Sequence, residues 1–261
     1  MPRYKLTIEY AGTRYSGWQI QKNARTVQGE LVRAILDATG ENGSDFQGSG
    51  RTDAGVHALR QVAHVDLRLT MPPETCRRRI NDALPADINV LSLEQVPHRF
   101  HARHSAVSRS YLYQVARRRT AFAKPFVWWV KEDLDARVMR ECAKAFVGLH
   151  DFRSFTDADP DETSTLVALE AVTLREDGDL LLVRVAGSHF VWKMVRRIVG
   201  VLAAAGRGEL RPAEVAALLE EESSLPARLT APSSGLFLER VVYPGDPAEV
   251  PLVAATPVRR S

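Results

Sequence analysis

A chain of 261 residues that is 45% apolar and 26% charged has material for a sizeable core and for two domains. That balance excludes intrinsic disorder, and no apolar run approaches the ~20 residues that span a bilayer. A net charge of +3 with a pI near 9.0 permits a nucleic-acid partner without demanding one.

The basic excess is uneven. Residues 1–104 hold 14 Lys/Arg against 11 Asp/Glu, and residues 105–261 hold 21 against 21. Cys76 and Cys142 stand in no metal-ligand or redox spacing and read as reduced, buried thiols. Met1-Pro2-Arg3 runs into a strand pattern with no secretory signal, so the chain is expected to be cytoplasmic.

In the first half, Tyr4, Leu6, Ile8 and Tyr10 alternate and predict a half-buried strand. Thr26 is placed to cap a helix with Val27, Leu31, Ile35 and Ala38 on one face. A short run ending at Phe46 to Gly50 leads into a glycine-rich loop. Ala63, Val65, Leu67 and Leu69 alternate as a strand. Pro72-Pro73 then opens a helix through Ile80 and Leu84, and Ile88, Val90 and Leu91 form a last strand. The order β-α-β-β-α-β is the split βαβ unit.

The second half repeats it. Tyr111, Tyr113 and Val115 alternate, Trp128-Trp129 reads as core or lobe interface, and Asp135 heads a helix closed by Gly148. Strands over 166–174 and 180–185 flank the turn Glu176-Asp177-Gly178-Asp179. A helix is expected from Phe190 to Ala205, another from Pro212, and a closing strand over 236–242. The expected fold class is therefore α+β: two ferredoxin-like lobes, residues 1–104 and 105–245, whose sheets meet at a central cleft. A proline-rich tail over 246–261 is expected to be extended or poorly ordered.

Gly48-Ser49-Gly50-Arg51-Thr52-Asp53-Ala54-Gly55-Val56-His57-Ala58 sets one carboxylate and one guanidinium two positions apart on a loop that glycine lets turn sharply. The bland reading is a surface turn with Gly55 at positive φ. The loop lacks the Gly-Lys-Ser/Thr ending of a phosphate loop, and no dinucleotide fingerprint or nucleophile-elbow serine occurs. No second acid is tied to Asp53 as in a two-carboxylate glycosidase. Basic clusters at Arg77-Arg78-Arg79, His98–His104, Arg117-Arg118-Arg119 and Lys193 with Arg196-Arg197 read singly as solvated faces. Together they fit a polyanion contacted through its phosphates. Phe100 among the cations of His98–His104 favours looped RNA over duplex DNA. No carboxylate or cysteine completes a metal site with those histidines, and no metal is expected.

Gly50–Ala58 resembles the active-site signature of the tRNA pseudouridine synthases of the TruA type. The resemblance extends, in family order, through Phe100-His101-Ala102-Arg103, Arg109-Ser110-Tyr111-Leu112-Tyr113, Gly148–Phe155, Met194–Gly200 and Ala231–Leu236. It spans nearly the whole chain, from about residue 4 to Pro244. Ser49, where alanine is frequent, and a longer tail are the departures.

The resemblance implies the pseudouridine synthase fold and a cofactor-independent isomerase. Such an enzyme converts uridine to pseudouridine at positions 38, 39 and 40 in the anticodon stem-loop of tRNAs, acting as a homodimer. It implies Asp53 as catalytic nucleophile, with Arg196 as the cation that keeps it ionised. Attack at C1′, attack at C6 and proton removal to a glycal all remain open. Tyr111 carries over as a catalytic residue that stacks on the flipped base and takes the C5 proton. Arg51, His57 and Arg103 carry over as substrate-binding residues. Two other classes compete: a non-catalytic RNA-binding protein of split-βαβ lobes, and a metal-dependent nuclease using Asp53. The first would not need Arg51 and Asp53 on a glycine loop, and the second would need clustered acids.

Overall fold

A computed structural model describes residues 1–157, 164–247 and 250–258. In chain order its main elements are β1 (Arg3–Tyr10), α1 (Val27–Thr39), β2 (Ser44–Gly48), β3 (His57–Asp66), α2 (Pro73–Ala83), β4 (Ile88–Val96) and β5 (Ser108–Ala116). There follow β6 (Trp128–Trp129), α3 (Ala136–Ala143), β7 (Gly148–Asp151), β8 (Leu166–Asp177), β9 (Leu180–Gly187), α4 (Met194–Gly206), α5 (Pro212–Glu220), α6 (Leu225–Arg228) and β10 (Leu236–Val242). Among the described residues no helix is long and apolar enough to cross a membrane.

The chain forms two compact units, Met1–Val107 with Phe237–Ala248, and Ser108–Leu236 with Glu249–Ser261. The last strand, β10, lies where it is expected, over Leu236–Val242, and its Phe237 and Leu238 pair in parallel with His57 and Ala58 of β3. Sequence alternation identifies a strand, whereas its partner is a long-range choice that alternation does not encode.

In the first unit β1 lies between β4 and β3, antiparallel to both. β2 pairs along the other side of β3 through Ser44, Gln47 and Gly48. That is the split βαβ arrangement, with α1 and α2 packed side by side. Thr26 Oγ1 accepts the Gly29 N–H at 3.2 Å, and Gly40 at φ +75° ends α1. Leu6, Ile8, Leu31, Ile35 and Ile80 are all buried in the core of this unit. β3 starts six residues before the expected Ala63 and is buried at Val62 to Asp66 on both faces, so strict alternation was the wrong template for it.

In the second unit β5, β9 and β8 repeat the same relative strand order, with β7 added beyond β8 and the short β6 parallel to β5. α3 packs against α4, α5 and β8. Asp135 caps α3, accepting the N–H groups of Arg137 and Val138 at 2.8 and 3.2 Å. Gly148, expected as a helix stop, instead begins β7 at φ +109°. α4 begins at Met194, four residues later than expected, because Lys193 at φ +63° breaks the helical path. Of the proline-rich tail, residues 248–249 and 259–261 lie outside the described residues. Residues 250–258 lie along the second unit: Arg184 donates to the Val250 and Pro251 carbonyls, Arg175 to Leu252, and Ala255 N to Gln114 Oε1 at 2.8 Å.

The His98–His104 stretch is bound down at one side of the first unit. Arg3 grips Asp66 with two hydrogen bonds, at 2.8 and 3.0 Å, and turns a third N–H to the Phe100 carbonyl. The Arg3 guanidinium holds the Asp66 carboxyl below its ordinary range. His64 Nδ1 accepts the Ala102 N–H at 3.0 Å, while His101 Nδ1 accepts those of Arg103 and His104 at 3.1 and 3.3 Å. Each ring must leave Nδ1 unprotonated to do so. Burial first, then Arg3 for His64 and His104 for His101, hold both imidazoles below their ordinary 6.5. The folded protein thus binds fewer protons than the unfolded chain just below pH 6.5, so this stability is complete above that pH and drains away as the pH falls. The melting temperature should drop as the pH falls below about 6.5. His64→Asn and His101→Asn should each flatten that drop, since the amide oxygen keeps an acceptor that does not titrate. Slopes unchanged in both variants would contradict the assignment.

Candidate active site

The residues from Ser49 to Val56 form a loop between β2 and β3 that is tied down at both ends. Ser49 N donates to the Val62 carbonyl at 2.8 Å and Ser49 Oγ to Gln61 Oε1 at 2.7 Å. Gln61, fully buried, returns its Nε2–H to the Gly50 carbonyl at 3.1 Å. On the far side Val56 N closes a turn onto the Asp53 carbonyl at 3.1 Å, with Gly55 at φ +78°. The expected turn is therefore present, and Gly55 supplies the positive φ it needs.

A second segment, Gly12–Trp18, braces this loop. Trp18 N donates to the Thr52 carbonyl at 3.0 Å and Gly55 N to the Tyr15 carbonyl at 3.3 Å. The Tyr10 hydroxyl bonds Thr52 Oγ1 at 2.8 Å. A Cβ at Gly17 would lie 2.6 Å from the Thr52 oxygen, and one at Gly12 only 1.9 Å from that of Val56. Backbone approaches this close require glycine. Trp18, 1% exposed, fills the space beneath, tilted against Tyr10 and stacked on Phe46 at 6.0 and 6.4 Å.

On this frame Thr52 is buried, Asp53 half-buried and Arg51 exposed. The flanking backbone is committed to the brace. Arg51 Nε donates to Gln19 Oε1 at 3.2 Å. His57 differs from its expected setting: it is 1% exposed, accepts the Gly12 N–H at Nδ1 at 3.0 Å and stacks on Phe237 at 4.8 Å. Those contacts make it part of the brace. Arg103 is exposed at the end of the bound His98–His104 stretch.

The second unit carries Tyr111 and Arg196. Tyr111 sits half-buried on β5 opposite Val185 of β9, its ring edge-on to Phe190 at 4.9 Å. Tyr113, two positions on, is fully buried, donates its hydroxyl to the Pro232 carbonyl at 2.7 Å and is pushed well above the usual phenol range by burial. Gly235 lets the backbone lie against that ring, since a Cβ there would meet it at 2.6 Å. Arg196 is fastened at two points: Nε donates to the Ala231 carbonyl at 2.7 Å, and its own carbonyl accepts the Ala231 N–H at 3.1 Å. Gly200, one turn along α4, makes this possible because a Cβ would fall 1.8 Å from the Leu229 oxygen.

Each unit thus brings its own expected residues together, Arg51 with Asp53 in one and Tyr111 near the start of α4 in the other. Gly12, Gly17, Trp18 and Gln61 were not read from the sequence. The pair Gly17-Trp18 between a strand and a helix was the one available signal for them. Among the described residues no group of three or more His, Cys, Asp or Glu is placed to hold a metal ion.

The whole chain is similar in sequence to curated proteins. A curated protein of Xanthobacter autotrophicus named tRNA pseudouridine synthase A is 42% identical over 246 residues, covering 93% of this chain and all of its own length. Proteins of the same name from Allorhizobium ampelinum and Beijerinckia indica are 41% and 40% identical, covering 94% and 95% of this chain and 96% of each of theirs. A family model described as tRNA pseudouridine synthase matches residues 6–105 and 142–244, a span that takes in both the braced Asp53 loop and the Arg196 helix, and on that match the chain belongs to the tRNA pseudouridine synthase family.

Proposed function

We propose that this chain converts uridine to pseudouridine at positions 38, 39 and 40 in the anticodon stem-loop of tRNAs, with Asp53 as the catalytic nucleophile. The observation that carries the reading is the brace around residues 49–56, which fixes the backbone on both sides of one half-buried carboxylate. A surface turn that served only to reverse the chain would not need buried Gln61 and Ser49 or two glycine contacts beneath it.

The reaction is an isomerisation. The ribose C1′–N1 bond breaks with its electron pair going to uracil N1, the base turns, and C5 bonds to C1′. A base then takes the C5 proton and passes it to water, while N1 gains one. A carboxylate is suited to the positive charge that develops at C1′, and a fixed one meets it without reorganisation. Arg196 is the cation that the family motif assigns to keep the aspartate ionised, and its two bonds to Ala231 favour a fixed guanidinium. Arg51 is the exposed contact to RNA, and Arg103 a second phosphate contact. His57 is left out of substrate binding for the reason given by its burial.

Turning the base requires taking it out of its stack, a cost of a few kcal/mol. Stacking on an aromatic ring returns about 1–3 kcal/mol per base, and half-exposed Tyr111 is the ring offered for it. Removal of the C5 proton is assigned to the same phenol. The protein is further inferred to act as a cytoplasmic homodimer. Leu149 on the edge strand β7 and Leu166 on the neighbouring β8, 68% and 53% exposed, offer apolar side chains to the second copy.

Asp53→Asn should lower tritium release from C5-labelled uridine in tRNA by at least about a thousandfold while tRNA binding stays within a few-fold. Turnover that survives the change sinks the aspartate assignment. Tyr111→Phe should retain stacking and lose proton transfer, slowing turnover by about 10²–10⁴ with little change in KM. Near-normal turnover by that variant would confine Tyr111 to stacking.

A further inference from the structure

Lone exposed apolar side chains are common and require no explanation. Trp192 is different because its surroundings hold it in place. It is 51% exposed in the turn that leads into α4. Lys193 Nζ lies 4.3 Å from the centroid of its ring, so one face of the indole carries a fixed cation. The lysine is itself constrained: its backbone is left-handed at φ +63°, and its ammonium bonds Asp157 Oδ2 at 2.7 Å. Asp157 is bonded in turn by Arg197, which is 3% exposed and also donates to the Ser154 and Thr156 carbonyls at 3.2 and 2.8 Å. A buried arginine therefore props an aspartate, the aspartate props a lysine, and the lysine sets an indole that stays in water.

The place of this arrangement matters as much as its rigidity. Phe190, two residues earlier, packs edge-on against Tyr111, and Arg196 lies on the first turn of the helix that Trp192 precedes. A left-handed, non-glycine residue is a strained one, and such strain collects at ligand contacts. An indole fixed by a cation on one face presents the other as a flat apolar surface, the geometry that an unpaired base takes up irrespective of its identity.

Building on the tRNA reading above, we propose that Trp192 stacks on an unpaired base of the tRNA next to the uridine being isomerised, with Lys193 and Asp157 as positioning residues. Trp192 meets the substrate, while Lys193 and Asp157 act through it. The interaction is formed on binding and is present equally in the transition state, so it belongs in KM and not in kcat.

Steady-state tritium release with Trp192→Ala should show KM for tRNA raised by roughly 5- to 100-fold, a loss greater than any change in kcat. Trp192→Phe, which keeps an aromatic face, should recover most of it. Asp157→Asn should raise KM in the same direction by a smaller factor. Independently of turnover, unmodified tRNA should quench the indole fluorescence of an Asp53→Asn protein more than that of the Asp53→Asn/Trp192→Phe double variant. A wild-type KM in Trp192→Ala, or equal quenching in the two proteins, overturns the proposal and leaves the isomerase reading intact. A fall in kcat and melting temperature at unchanged KM overturns it too, as the mark of a structural role. Absence of tritium release from the wild-type protein would count against the isomerase reading, and the quenching comparison would still decide the fate of Trp192.

Discussion

The backbone from Ser49 to Val56 has almost no freedom, and the function assigned to this chain depends on that. Gln61 and Ser49 hold one end, the Asp53–Val56 turn closes the other, and the Gly12–Trp18 segment supports the middle through Thr52 and Gly55. Every one of these contacts uses main-chain atoms or buried side chains, and together they hold the backbone that carries Asp53. A catalytic group placed in this manner arrives with its orientation already set. The rest of the first unit serves that end: β3 supplies Gln61, β1 supplies Tyr10, and Trp18 fills the volume beneath.

The second unit applies the same method to different groups. Gly200 brings α4 against Leu229, which lets Ala231 clip Arg196 at its guanidinium and its carbonyl. Gly235 brings another stretch of backbone against Tyr113, whose buried hydroxyl is spent on Pro232 while Tyr111 stays half in solvent. In both units glycines permit close backbone approach, and the approach fixes a charged or aromatic side chain. Trp192 fits the same pattern by another route, with an ion-pair relay in place of a glycine contact.

Much of this was legible in the residue order. The alternation of Tyr4, Leu6, Ile8 and Tyr10 and the capping positions Thr26 and Asp135 all report local physics, and the structure has each of them where that physics places it. The turn glycine Gly55 was legible for the same reason. What escaped was tertiary. β10 was recognised as a strand, but its parallel pairing to His57 and Ala58 joins residues about 180 positions apart and leaves no periodic trace. His57 looked like a ligand-facing motif residue because burial beneath Phe237 cannot be read locally. Gly12 and Gly17 gave no warning of a brace, since the need for glycine came from a loop some forty residues away. The proline-rich tail has carbonyls held by Arg175 and Arg184, which no local pattern connects to it.

If the loop is what positions the nucleophile, charge alone will not be enough. Asp53→Glu tests this most directly, because it keeps the carboxylate and its acidity and lengthens the side chain by one methylene. The single-turnover rate of pseudouridine formation in a tRNA transcript should fall by about 10²-fold or more, as expected when a reacting group is displaced by roughly 1 Å, with tRNA affinity unchanged. A glutamate variant that reacts at close to the wild-type rate would contradict the account, since the brace would then be holding nothing that the chemistry requires.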